Sequence, residues 1–252
     1  MRAWPAKAAA GLLLLVAVAG CRNPLGRQYE YEEQIYLRVD GSASVVIDTS
    51  MPALYALRGL PVDPSFRTPV DRDQIRRLYS TAGCDDVRVG QPWIRKGRRF
   101  IQIRLQTRDV TRLSSCRPLS WSTYTFEKSD GAIRFEQTVG AAAKQDPGAV
   151  RWDGSELVAF KLHLPSRILY HNVRNLEDGS VGSPDRGNIL TWEQRLADRR
   201  TGQAVHLDVR MDAQSILYRT LWLFAGAFAA ALALVATLVW ITIRRARRTS
   251  TT

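Results

Sequence analysis

Leu221 to Ile243 is a run of 23 residues without a charge, and it constrains this chain more than any other feature. As a helix it would be about 35 Å long at 1.5 Å per residue, enough to cross the hydrocarbon of a bilayer. Trp222 and Trp240 fall near its ends, where amphipathic rings favour the interfaces. Arg244, Arg245, Arg247 and Arg248 follow it and mark a cytoplasmic side. The expectation is a single pass over 220–243, a basic cytoplasmic tail over 244–252, and everything earlier outside. Gly226, Ala229, Ala230 and Ala233 place small residues on one helical face, where another helix can pack; the same alanines also suit plain lipid.

The opposite end reads as a secretion signal over 1–20. Arg2 and Lys7 form the charged start, and Ala8 to Ala19 is apolar but too short to span. It ends in Val18-Ala19-Gly20-Cys21, which resembles the lipobox of bacterial lipoproteins. That resemblance implies a Cys21 thiol carrying diacylglycerol. The two ends together predict a domain, 21–215, held at the outer face of a bacterial inner membrane by lipid in front and a helix behind. A spanning helix retains a protein without help, so the lipid at Cys21 has another role, which is to restrict how the domain is presented to the leaflet.

The net charge of +12 does not point to nucleic acid. Six of the 36 basic residues sit in the leader and tail, which leaves 30 against 24 acidic ones in the domain. That modest excess suits anionic headgroups. Cys84 and Cys116 remain once Cys21 is assigned, and an even number in an oxidising compartment predicts a disulfide. Closing a loop of about 33 residues stabilises a fold by roughly 3–4 kcal/mol in the chain-entropy picture. There is no Cys-x-x-Cys and no Cys/His cluster, so no metal or cofactor is expected.

Between the anchors the hydrophobic period is 2 almost throughout. Tyr29, Tyr31, Ile35, Leu37 and Val39 alternate with Glu30, Glu32, Gln34 and Arg38, and Asp40-Gly41 turns the chain into Ala43, Val45 and Ile47. A short helix is expected from Ser50 to about Arg58, with Gly59 at its end. A better one starts at Asp71, with Gln74 as capping-box partner, Ile75, Leu78, Tyr79 and Ala82 on its apolar face, and Gly83 as terminator. Further strands are expected near Asp86 to Ile94, Ile101 to Leu105, Trp121 to Glu127, Ala132 to Val139, Leu157 to Leu164, Asn188 to Leu196 and Val205 to Met211. Val110 to Leu113 suits a helical turn, and 140–155 and 175–187 are polar loops. The fold class is α+β, a twisted, mostly antiparallel sheet of about eight strands with one principal helix and a single C-terminal transmembrane helix.

No chemistry-bearing motif is evident. His163 and His206 alternate away from the apolar faces of their strands, and His171 follows Leu164-Pro165-Ser166. No nucleophile elbow or phosphate loop occurs, so no catalytic residues are assigned. Arg95, Lys96, Arg98 and Arg99 put four cations around one hairpin turn, which suits contacts to lipid headgroup phosphates and equally suits a solvated tip.

The layout resembles the LppM-type lipoproteins of actinobacteria. The resemblance rests on the lipobox cysteine, the strand pair from Tyr29 to Asp48 with its Asp-Gly turn, and the terminal membrane helix. It also rests on Leu164-Pro165-Ser166 followed by Asn172, a Gly-containing loop, and Ile189-Leu190-Thr191-Trp192. It implies a non-enzymatic, surface-exposed envelope lipoprotein whose domain binds lipid or glycolipid. A scaffold contacting other envelope proteins without a small ligand, and an envelope hydrolase, are the competing expectations.

Overall fold

A computed structural model describes residues 27–249 of the protein. The leader 1–20 and Cys21 lie outside the described residues, and with them the signal-peptide and lipidation expectations.

The alternating first segment folds as β1 (Tyr29–Leu37) and β2 (Ala43–Ser50). The Asp40 carboxylate accepts from the Ser42 N–H, and Gly41 takes φ +89°, a left-handed value that glycine adopts without strain. Helix α1 (Met51–Arg58) is capped by the Ser50 side chain, which accepts from Ala53 N–H, and is closed by Gly59. Helix α2 (Arg72–Tyr79) is capped by Asp71 as expected. The Gln74 side chain does not complete a capping box; it donates to the Pro61 carbonyl instead. The helix stops at Ser80, and Gly83 serves a different need: a Cβ there would lie 2.1 Å from the Arg112 carbonyl oxygen.

The chain continues through β3 (Asp85–Val89), β4 (Trp93–Arg95) and β5 (Arg98–Thr107), two 3-10 turns at Val110–Ser115 and Arg117–Leu119, and the hairpin β6 (Ser122–Ser129) and β7 (Ala132–Val139). Then come β8 (Leu157–His163), β9 (Ser166–His171), β10 (Ile189–Arg195), α3 (Leu196–Thr201), β11 (Val205–Ser215) and α4 (Ile216–Thr249). The α+β class holds, with two sheets in place of the single one expected. One sheet has seven strands, ordered β10-β8-β1-β2-β5-β3 with β4 also on β5; the other has four, ordered β6-β7-β11-β9. All pairings are antiparallel except β1 with β8. Periodicity says which residues face inward but is silent on which strand pairs with which, and the division into two sheets lies in that gap. Strand β9 and helix α3 escaped the sequence reading because β9 is an edge strand with only Ser166 fully buried, and α3 is a single short helix between two strands.

The inner faces of both sheets enclose one core with α1 and α2. Tyr31, Ile35 and Ile47 from the first sheet, Phe135, Val209 and Met211 from the second, and Leu54, Leu57, Ile75 and Tyr79 from the helices are all buried. Cys84 and Cys116 are bonded with their Cα atoms 5.6 Å apart, tying the end of the α2 connection to the 3-10 turns. The apolar stretch of α4, Thr220–Ile241, is not buried against the rest of the protein and is long and apolar enough to cross a membrane.

The strand directions define two poles. Strand β1 starts at the amino pole beside Leu157 and ends near His163, two residues before Pro165. Strand β11 starts near the same pole, where Gln203 accepts from Gln194, and ends at Ser215 opposite Ser166 before running directly into α4. The Lys96-Gly97 turn joins β4 to β5 at the amino pole, where the Arg95 side chain reaches the Tyr29 carbonyl. The basic turn and α4 therefore leave opposite ends of the domain.

Candidate functional site

At the amino pole, Lys96 and Gly97 both take positive φ, the backbone of a two-residue hairpin turn. That turn separates the four cations expected at headgroups. Arg98 turns inward and is only 5% exposed. Its Nε and Nη2 donate to Glu30 Oε1 at 3.1 and 2.6 Å, Nη1 donates to the Arg151 carbonyl at 2.7 Å, and Glu156 stands 3.9 Å away. Arg98 is therefore not the free surface cation that the turn suggested: it is buried and already paired, with carboxylates from β1 and from the end of the 140–155 loop, far away in sequence. Arg95 bends back over the Phe100 ring at 4.0 Å, and Arg99 donates to the Phe66 carbonyl and lies over its ring. Lys96 stands exposed at the tip.

Arg98 anchors the loop whose residues Pro147, Ala149, Val150 and Arg151 form one wall of a cleft; Pro52, Pro64, Phe66 and Arg67 form the other. The cleft has a volume of about 710 Å³, within the range of small-molecule sites. Prolines, Ala149, Val150 and Phe66 supply the apolar part of its lining, and Ser65, Asp63 and Arg98 a polar part, with Arg67 and Arg151 exposed. The Asp63 carboxylate also borders it but is engaged by Thr68 Oγ1 and Ser65 N–H, which hold its pKa below the usual carboxylate range. Phe66, Trp93 and Ile94 are 46, 36 and 59% exposed at this pole.

A second polar cluster lies between the two sheets, and the sequence reading missed it. Glu33 is buried and accepts from Arg58 Nη2 at 2.9 Å, Tyr31 Oη at 2.8 Å, and Gln137 Nε2 at 2.9 Å. The Arg58 guanidinium lies 3.5 Å from the centre of the Trp121 ring, and Arg199 from α3 lies 4.7 Å from the same ring. Arg199 is fully buried, donates to the Gln203 carbonyl at 2.7 Å, and is pushed down to about 10, first by burial and then by the Arg58 charge. Burial also holds the Tyr31, Tyr79 and Tyr124 phenols above their ordinary value. One signal for this cluster exists in the sequence: period 2 places Glu33 on the same face as Tyr31 and Ile35, a carboxylate within an apolar stripe.

The histidines divide. His163 stacks on Tyr36 and contacts Gln34, and burial lowers its pKa, as it does that of His171. His206 is exposed on the outer face of the second sheet, with its Nδ1 3.0 Å from Thr138 Oγ1 and with Glu136 and Asp208 close by. Both carboxylates face Arg134, which pairs with each of them. A hydroxyl, an imidazole and two acids thus meet on an open sheet face, with Arg134 paired to both acids.

Two residues that carry the family resemblance meet in space. Trp192 Nε1 donates to Asn172 Oδ1 at 2.9 Å, and Asn172 also accepts from Asp208 N–H and donates to the His206 carbonyl. Asn172 thereby clasps β10 of one sheet to β11 of the other.

No protein-family model matches the chain. No curated protein matches it either. Among solved structures, the NMR structure of the folded domain of LppM from Mycobacterium tuberculosis is similar, at 12% identity and a TM-score of 0.39, covering 76% of this chain and 95% of that one.

Proposed function

We propose that this protein is a non-enzymatic envelope lipoprotein, held at the outer face of the inner membrane by lipid on Cys21 and by α4, whose domain takes a lipid or glycolipid headgroup into the amino-pole cleft. The tail beyond α4 lies in the cytoplasm, and no metal, cofactor or nucleic acid takes part. The lipobox sequence and the length and apolarity of α4 support the two anchors. The observation that carries the ligand reading is the cleft itself: a partly apolar lining that suits acyl or glycerol carbons, with Arg67 and Arg151 exposed to meet a phosphate.

The domain has a core of its own to which the apolar stretch of α4 contributes nothing, so residues 22–215 can be tested alone. Native mass spectrometry of that domain after incubation with phosphatidylinositol or phosphatidylglycerol should show a one-to-one adduct that Arg67→Ala/Arg151→Ala weakens about tenfold. No adduct with either lipid would defeat the reading. A scaffold role has one observation of its own, the exposed Leu169 and Tyr170 on the β9 edge of the second sheet, which is open to another strand.

A further inference from the structure

The two proposed anchors leave the domain from opposite poles, and the chain between Cys21 and Tyr29 is short. Seven residues lie between them, so the tether is eight Cα-to-Cα steps long. Fully extended, eight steps reach about 29 Å, and as a flexible coil about 16 Å. Against that reach stands the height of an upright domain. Strand β11 alone has 11 residues running from the amino pole to the carboxy pole, about 33 Å at 3.3 Å per residue. The helical residues from Ile216 to Thr220, where the apolar stretch begins, add about 7 Å more. An upright domain would hold Tyr29 about 40 Å above the leaflet, beyond the longest reach of a tether whose other end is buried in it.

We infer that the two anchors together hold the domain on its side, with the amino-pole surface of Phe66, Trp93, Ile94 and Lys96 resting in the anionic headgroups of the same leaflet. This inference rests on the double-anchor reading above and adds the orientation and the surface in contact. That surface has the chemistry the interface requires. Its large apolar side chains are exposed singly at the pole, Trp93 is an amphipathic ring stacked on Phe100, and Lys96 and Arg67 are exposed beside them. The cleft opens at the same pole, with Gly97 and Phe66 among its lining residues, so a headgroup enters it from the leaflet without crossing water. The role of a lipid that is not needed for retention follows: it sets the tilt.

The test uses the full-length acylated protein in vesicles of phosphatidylglycerol and phosphatidylcholine. With Cys84 and Cys116 bridged and Cys21 acylated, Ile94→Cys supplies a unique thiol for a nitroxide, and Asp130→Cys, on the β6–β7 turn near the start of α4, supplies the control. The Ile94 label should report headgroup depth and be shielded from an aqueous nickel chelate about fivefold relative to the same label in a chain with a Gly-Ser spacer of about 20 residues inserted after Asn23. The Asp130 label should stay near the membrane in both. Equal exposure of the Ile94 label with and without the spacer would overturn the inference. Mass spectrometry showing an unmodified Cys21 would overturn it together with the lipid-anchor reading. Headgroup binding in the cleft is read separately on residues 22–215, so failure of the orientation leaves that result standing.

Discussion

Among the described residues the guanidinium groups of Arg58, Arg98 and Arg199 are buried, and the protein treats Arg98 and Arg199 differently. Arg98, at the amino pole, has Glu30 within 2.6 Å, a backbone carbonyl at 2.7 Å and a second carboxylate at 3.9 Å. Arg199, in the seam between the sheets, has carbonyl oxygens and the face of Trp121, and no carboxylate pairs with it among the described residues. Glu33, whose charge acts on it, already serves Arg58, Tyr31 and Gln137. Removing a charge from water costs several kcal/mol per ion, and only a well-placed counter-charge with its remaining hydrogen bonds satisfied offsets that cost. Arg98 meets that condition and fastens a loop; Arg199 does not, since carbonyl oxygens and the Trp121 ring face are all that stand against its charge and its Nε and Nη2 have no hydrogen-bond partner among the described residues.

The contrast can be broken by experiment. Glu33→Gln keeps the shape and most of the hydrogen bonds but leaves two buried guanidinium groups without a counter-ion. It should lower the stability of the domain by about 3–5 kcal/mol in urea unfolding, the largest effect of the set. Glu30→Gln should cost less, about 2–3 kcal/mol, because Glu156 and the Arg151 carbonyl still face Arg98. If the two losses were equal, the shared carboxylate at Glu33 would not be the weak point of the seam. Arg199→Met sharpens the comparison from the other side. Replacing an unpaired buried cation by an apolar side chain of similar length should leave stability within about 1 kcal/mol of the natural protein or raise it. A loss above about 3 kcal/mol would show that stacking on Trp121 outweighs the desolvation of the charge.

The same contrast explains where sequence reading succeeded. The Asp40-Gly41 turn, the Asp71 cap and the alternation of β2, β5 and β7 are written in residues within four positions of one another, and all of them are found in the structure. The disulfide was reached by elimination, since Cys84 had one partner left. Arg98 shows the opposite case. It follows a turn glycine among three other cations, which reads as solvent, yet the carboxylate that draws it inward is 68 positions away. Glu30 reads as outward-facing because it alternates with Tyr29 and Tyr31, yet the β1 and β8 pairing is irregular at those residues and all three are buried.

Taken alone, the amino-acid order determined most of the element types, the inward face of most strands, the cysteine pair and the expectation of an anchor at each end, because those properties depend on near neighbours and on lengths that can be counted. The division of the strands into two sheets, the turning of Arg98 into the protein, the shared carboxylate at Glu33 and the placement of the basic turn at the pole opposite α4 came only from tertiary structure. Each depends on which distant strands lie side by side, and a pattern with a period of two residues repeats identically whatever its neighbour is.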